Sequence, residues 1–218
     1  MLERAGWVPL ACIIGALLII ASASITWNTS PYYGRNDARA ATAPAATSAN
    51  AGTVPATGGK YSVSLSPNRI EIPKLKTVAP IVKVATSANG ELEVPENPKV
   101  TGWWSPGARP GAAVGTSVIT GHVNYAGVDG ALGHIGNLAP GDKVVVLGKY
   151  NAKKMQVTFT VVAVRTYHKT ALPYREIFNQ KSVGRLALVT CGGPFDASTG
   201  NYLDNIVVYA VPTSSSAA

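Results

Sequence analysis

Two side chains in this sequence carry reactive chemistry in a suggestive setting. Cys191 closes the apolar, β-branched run Leu186-Ala187-Leu188-Val189-Thr190-Cys191 and is followed at once by Gly192-Gly193-Pro194. His122 closes a second such run, Thr116-Ser117-Val118-Ile119-Thr120-Gly121-His122. A thiol and an imidazole are the parts of a nucleophile and its acid/base partner, since attack by sulfur requires a proton to leave it and later to reach a leaving group. The same residues also fit a buried structural Cys and an incidental surface His, and spacing alone leaves both readings open. Val, Ile and Thr suit a pleated, half-buried strand. The glycines predict that each strand gives way there to a loop where backbone amides and solvent are accessible.

The remaining candidates are weaker. Cys12 lies in an N-terminal apolar stretch, far along the chain from Cys191, so no disulfide is expected and Cys191 is read as a free thiol. His134 and His168 are scattered and offer no ligand spacing with Cys191, and no carboxylate cluster suits calcium. No metal and no cofactor are expected. Both His residues read as packing or surface groups, with His168 near a loop after a long strand. Trp103-Trp104 is core or a substrate wall, and Asp142, after Pro140-Gly141, stabilises a turn.

Composition sets the class. The chain has 218 residues, enough for one domain plus extensions, and only 14% are charged, leaving ample Val, Ile, Leu and Ala for a core. The formal charge of +8 is spread with no basic run longer than Lys153-Lys154, which argues against nucleic acid and for an acidic wall polymer or anionic membrane surface as neighbour.

No charged residue occurs from Trp7 to Trp27. A stretch of that length spans a hydrocarbon core of about 30 Å as a helix, and a Trp at each end suits the interfaces. Residues 1–27 are therefore expected to form a membrane anchor. A cleaved signal peptide is the competing reading, because Ala21-Ser22-Ala23 and Ser22-Ala23-Ser24 are small-residue sites. Residues 28–60, rich in Ala, Thr, Ser, Asn, Gly and Pro, read as a flexible stalk that has too little apolar surface to offset its ordering entropy. The domain follows over 61–218.

Within it, Val/Ile-rich runs recur at 69–72, 81–85, 114–120, 143–148, 156–165, 186–190 and 206–211, separated by turn pairs such as Pro106-Gly107 and Pro140-Gly141. Seven or eight strands with few helical stretches predict a mainly β barrel or sandwich. Residues 132–138 and 174–179 are the helical candidates.

Five ordered stretches resemble the sortases, the cysteine transpeptidases that attach proteins to bacterial cell walls. They are the two strands ending in His122 and Cys191, Arg69-Ile70-Glu71-Ile72-Pro73-Lys74-Leu75, the segment from Ala131 to Asp142, and the segment from Thr199 to Ala210. The extension Cys191-Gly192-Gly193-Pro194-Phe195-Asp196 looks most like the class F sortases of actinobacteria. The resemblance covers about residues 64–212. It implies a closed eight-stranded β-barrel with short connecting helices, and export of the catalytic domain to the outside of the cell membrane on a single span. It also implies partners: surface proteins ending in a Leu-Pro-x-Thr-Gly type signal, and a peptidoglycan precursor amine. Cys191 would form the thioacyl intermediate, His122 would act as general acid and base, and the Gly192 amide would donate to the oxyanion.

The third catalytic position departs from the commonest pattern. Many sortases carry an Arg on the closing strand; aligning Thr199-Gly200 and Tyr202 puts Asn205 there, and no Arg follows Cys191. Arg69, then Asn205, then Arg185 are the candidates, and solvated strand residues are the bland alternative for the two arginines. A pilin-polymerising sortase and a catalytically silent wall-binding β domain remain as alternative functions.

Overall fold

The computed structural model describes residues 62–88 and 90–218. The expected anchor (1–27) and stalk (28–60) lie outside the described residues.

Ten strands form in chain order: β1 (Ser66–Ile72), β2 (Thr77–Val84), β3 (Thr101–Trp104), β4 (Thr116–Thr120), β5 (Asn124–Tyr125), β6 (Val128–Asp129), β7 (Lys143–Tyr150), β8 (Lys153–His168), β9 (Arg185–Asp196) and β10 (Asn201–Ala217). Eight of them close into a barrel in the order β1-β2-β3-β4-β9-β10-β8-β7, and β5 and β6 make a separate hairpin. The β1–β7 ladder, with Ile70 opposite Val146, completes the closure. Pairing is antiparallel except for β2–β3 and β4–β9. The expected mainly β, closed eight-stranded barrel is what forms.

Alternation along the strands fixes the inside and the outside. One buried cluster draws on every barrel strand, through residues such as Ile70, Ile81, Trp103, Ile119, Val146, Phe159, Leu188 and Val208, and so fills the interior. A second draws only on β4, β8, β9, β10 and the short helix α1 (Tyr174–Ile177), through Val118, Ala163, Ala187, Val189, Val207, Tyr209 and Ile177. These residues lie on the outer face of four adjacent strands. Neighbours in sequence fall into opposite clusters, as a period of two requires.

Three expectations need correction. Strand β3 was absent from the expected set; it is only four residues long, and its aromatic pair splits, with Trp103 inside and Trp104 packed on the outer cluster. Of the helical candidates, 132–138 supplies only a 3-10 turn over Ile135–Asn137, and 174–179 only the four-residue α1. Finally, β9 does not stop at Cys191. It runs on through Gly192, Gly193 and Pro194 to Asp196, paired with β10. Parallel β4 ends at Thr120, beside Val189, so β9 has an open edge beyond that level, where proline is tolerated.

Candidate active site

The parallel ladder between β4 and β9 sets Thr120 opposite Val189. Two further residues along, His122 comes level with Cys191. Two hydrogen bonds carry the pairing past the end of β4: the Gly121 amide donates to the Val189 carbonyl at 3.2 Å, and the Thr190 hydroxyl donates to the Gly121 carbonyl at 2.8 Å. On the other side of β9, Cys191 is the register partner of Asn205, and Asn205 is that of Tyr167 on β8. Tyr167, Asn205, Cys191 and His122 therefore form one row across the barrel wall. By strand alternation, the row continues the parity of Ala187, Val189 and Val207, so it lies on the outer face.

Each member is held differently. The His122 Nε2 lies 3.0 Å from the Pro95 carbonyl, and the ring stacks on Tyr125 with centroids 4.9 Å apart and planes 27° off parallel. A carbonyl only accepts, so Nε2 carries the hydrogen and, in the neutral ring, Nδ1 is the nitrogen free to take a proton. The β5–β6 hairpin folds back on His122: Gly130 donates its amide to the Val123 carbonyl, and a Cβ at Gly130 would stand 1.9 Å from the His122 carbonyl oxygen. Only glycine fits there. Burial lowers the His122 pKa, and the Pro95 carbonyl partly opposes that shift.

Cys191 is half-buried, and no disulfide engages it. Burial pushes its thiol pKa up, and the positive charge of Lys169 acts the other way. Gly192 sits opposite Asp204, and a side chain on it would collide with Ile206. On the same outer face, Leu92, Trp104, Tyr167, Leu172 and Phe178 pack on the second cluster, with Trp104 edge-on to Phe178 at 5.0 Å. A thiol and an imidazole stand level on adjacent strands, on the face that also carries the outer apolar cluster. That arrangement can attack an electrophilic carbonyl and shuttle the proton involved.

The Sortase domain family model matches residues 70–213. The chain belongs to the sortase family. Sortases are in general cysteine transpeptidases, and the thiol–imidazole row accords with that chemistry. The fold agrees with solved sortases. Sortase A of Listeria monocytogenes superposes with a TM-score of 0.50 at 17% identity, over 72% of this chain and 91% of that one. The SrtA sortase of Actinomyces oris gives 0.52 at 20%, over 76% and 89%. Sortase C-3 of Streptococcus pneumoniae gives 0.51 at 15%, over 72% and 65%. No curated protein matches the chain in sequence.

The three candidates for the third role in this sortase fall in different places. Arg69 is on β1, which stands four strands from β9 in either direction around the closed barrel, and its guanidinium pairs with Glu71 at 2.8 Å. Barrel closure thus removes Arg69 from the Cys191 row, against its first rank in the sequence reading. Arg185 is on the right strand but at its far end, six residues before Cys191. There it donates to Thr116 Oγ1 at 2.9 Å and to the Glu176 carbonyl, and lies over the Tyr209 ring at 5.2 Å. Asn205 alone is adjacent to Cys191.

The other singled-out residues are structural. The His168 side chain caps the 3-10 turn Lys169–Ala171 after β8, accepting from the Thr170 amide. His134 is exposed, 4.0 Å from Asp129. Asp142 accepts from the Ala139 amide at 2.6 Å and from Lys74 at 2.7 Å, the turn-holding role expected of it, and these contacts hold its carboxyl below the usual range.

Proposed function

We propose that this sortase is a membrane-anchored cysteine transpeptidase of the class F type that cleaves a C-terminal Leu-Pro-x-Thr-Gly type signal and transfers the protein to a cell-wall amine. The observation that carries the reading is the level pairing of His122 with Cys191 at the end of the β4–β9 ladder. In the proposed reaction the Cys191 thiolate adds to the Thr carbonyl carbon, forming a C–S bond and an oxyanion. The Gly192 amide and the Asn205 side-chain amide are the candidate donors to that oxygen. Collapse breaks the C–N bond, and His122 gives its proton to the departing Gly amine. The incoming amine then adds to the thioester, His122 takes its proton, and the C–S bond breaks. Leu92, Trp104, Leu172 and Phe178, packed on the same outer face, are the apolar groups suited to the Leu-Pro part of the signal.

The uncharged stretch from Trp7 to Trp27 supports a single membrane span, with 28–60 as stalk and the domain from 61 onward outside the cell. Protease accessibility on intact cells tests that topology, and the N-terminal residue of the mature protein distinguishes an anchor from a cleaved signal.

Activity is tested with the full chain in detergent, a fluorescent Leu-Pro-x-Thr-Gly peptide and a panel of amines. Transfer product from wild type and none from Cys191→Ala supports the proposal. Equal signal from both rejects it in favour of a silent wall-binding domain. A requirement for a lysyl side-chain amine redirects it to pilin polymerisation.

A further inference from the structure

His122 stands two residues beyond the end of β4, and the chain passes straight from it into the β5–β6 hairpin. That hairpin is a sheet apart from the barrel, with two register pairs, Asn124 with Asp129 and Tyr125 with Val128. A two-stranded ladder so short is marginal in water and takes its order from what it is attached to. Successive residues of a strand face opposite ways, and the two residues of β5 do so. Tyr125 stacks on the His122 ring with centroids 4.9 Å apart, while the Asn124 side-chain amide donates to the Tyr202 phenol oxygen at 2.8 Å.

We infer that Tyr202 is a positioning residue of this sortase: its phenol oxygen, accepting from Asn124, ties the β5–β6 hairpin to the β9–β10 pair and so holds the His122 ring at the level of Cys191. This rests on the proposed acyl-transfer reading and adds to it a residue that acts through His122. Three observations carry it. First, Tyr202 belongs to the strand pair that bears the thiol. It is buried, it is the register partner of Phe195, four residues after Cys191 on β9, and its ring meets the Phe195 ring edge-on at 5.2 Å. Second, the bond joins β10 to Asn124, two residues after the imidazole, whereas the Thr190–Gly121 bond joins β9 to the residue just before it. His122 is thus bracketed by one cross-link to each strand of the thiol's pair. Third, the other arm of the hairpin is tied to a different part of the chain. The Lys99 ammonium donates to the Asp129 carbonyl at 2.6 Å, and the Ala131 amide to the Pro98 carbonyl at 2.7 Å. Those bonds fix the β6 side to the segment before β3, which also supplies the Pro95 carbonyl to His122. The Asn124–Tyr202 bond fixes the β5 side to the strands of the thiol.

Proton transfer requires donor and acceptor within hydrogen-bond reach, and a misplacement of about 1 Å costs up to about 10²-fold in rate. Loss of the phenol should therefore slow the chemical step and leave peptide binding as it is.

The test uses the full chain in detergent as wild type, Tyr202→Phe, Asn124→Ala and the double variant, together with Tyr202→Phe in a His122→Ala background. Phe keeps the ring against Phe195 and removes only the hydroxyl. The first readout, amide hydrogen exchange, needs no peptide. Exchange of the Gly130 amide, which is bonded to the Val123 carbonyl, should quicken about fivefold in either single variant, with β7 and β8 exchanging as in wild type. The second is peptide transfer. There kcat should fall about tenfold in Tyr202→Phe with KM little changed, and the double variant should be no worse than either single one. Tyr202→Phe should cost nothing further once His122 is Ala. Unchanged exchange at Gly130, or unchanged kcat, in Tyr202→Phe overturns the inference. So does an equal fall in transfer with and without His122, or faster exchange in β7 and β8, either of which would assign Tyr202 a purely structural role. If wild type transfers no peptide, the proposed function fails, while hydrogen exchange still decides whether Tyr202 holds the hairpin that follows His122.

Discussion

The Thr190 hydroxyl donates a 2.8 Å hydrogen bond to the carbonyl of Gly121, joining the residues that immediately precede Cys191 and His122. Thr190 is almost wholly buried and belongs to a strand that starts some seventy residues after β4. The bond extends the β4–β9 ladder beyond the last residue of β4, so the level of the imidazole is tied to the level of the thiol.

Thr190→Val keeps the shape, removes the donor and strands the buried Gly121 carbonyl. It should cost about 1–2 kcal/mol in urea unfolding, with a further drop in kcat as His122 loses its fixed height. Retention of full transfer activity would show that the strand ends hold their register without this bond.

The pH profile follows from two opposed shifts. Burial holds the His122 imidazole below, and the Cys191 thiol above, their ordinary values. The reactive thiolate–imidazolium pair requires sulfur deprotonated and imidazole protonated, so kcat/KM should be bell-shaped, with its acid limb below about pH 6.5 and its alkaline limb above about pH 8.5. The two limbs belong to the pair as a unit. Both limbs falling between those values would contradict the burial of the site. His122→Ala should lower transfer by about 10²–10⁴-fold while leaving alkylation of Cys191 measurable.

Gly130 and Gly141 separate collision from strain. Gly130→Ala places a methyl 1.9 Å from the His122 carbonyl oxygen, so the β5–β6 hairpin or His122 must move; stability should fall by more than about 2 kcal/mol, together with activity. Gly141 has φ of +99° with open space around it, so Gly141→Ala should cost about 1 kcal/mol from backbone strain alone and leave kcat unchanged. Paired melting curves and transfer assays read the difference.

The two arginines should also part company. Arg69→Ala removes an exposed ion pair on the far wall and should change stability by no more than about 0.5 kcal/mol, with normal transfer. Arg185→Met leaves Glu176 and Thr116 without their buried partner and should cost about 3 kcal/mol in denaturant unfolding. Loss of transfer without loss of stability in Arg69→Ala would return that residue to the site.

Much of the barrel was legible along the chain, because Val/Ile runs and Pro-Gly or Gly-Gly turns are local signals. Seven of the eight barrel strands lie where those runs predicted, although β8 and β10 extend well beyond them. The missing one, β3, is four residues long and was read as an aromatic pair, a pattern too short to show its alternation. The end of β9 was misplaced because Gly-Gly-Pro usually stops a strand, whereas here an open edge above Thr120 lets it continue.

The sequence by itself determined that this chain folds as a β domain carrying a thiol and an imidazole each at the close of an apolar run, since apolar alternation and turn residues act over a few positions. The tertiary structure alone decided which groups share a face. Barrel closure carried Arg69 to the opposite wall, the β9–β10 ladder set Asn205 beside Cys191, and the parallel β4–β9 ladder set His122 level with the sulfur. Strand neighbours in a closed sheet are fixed by pairing between distant segments, and no local pattern of side chains encodes that choice.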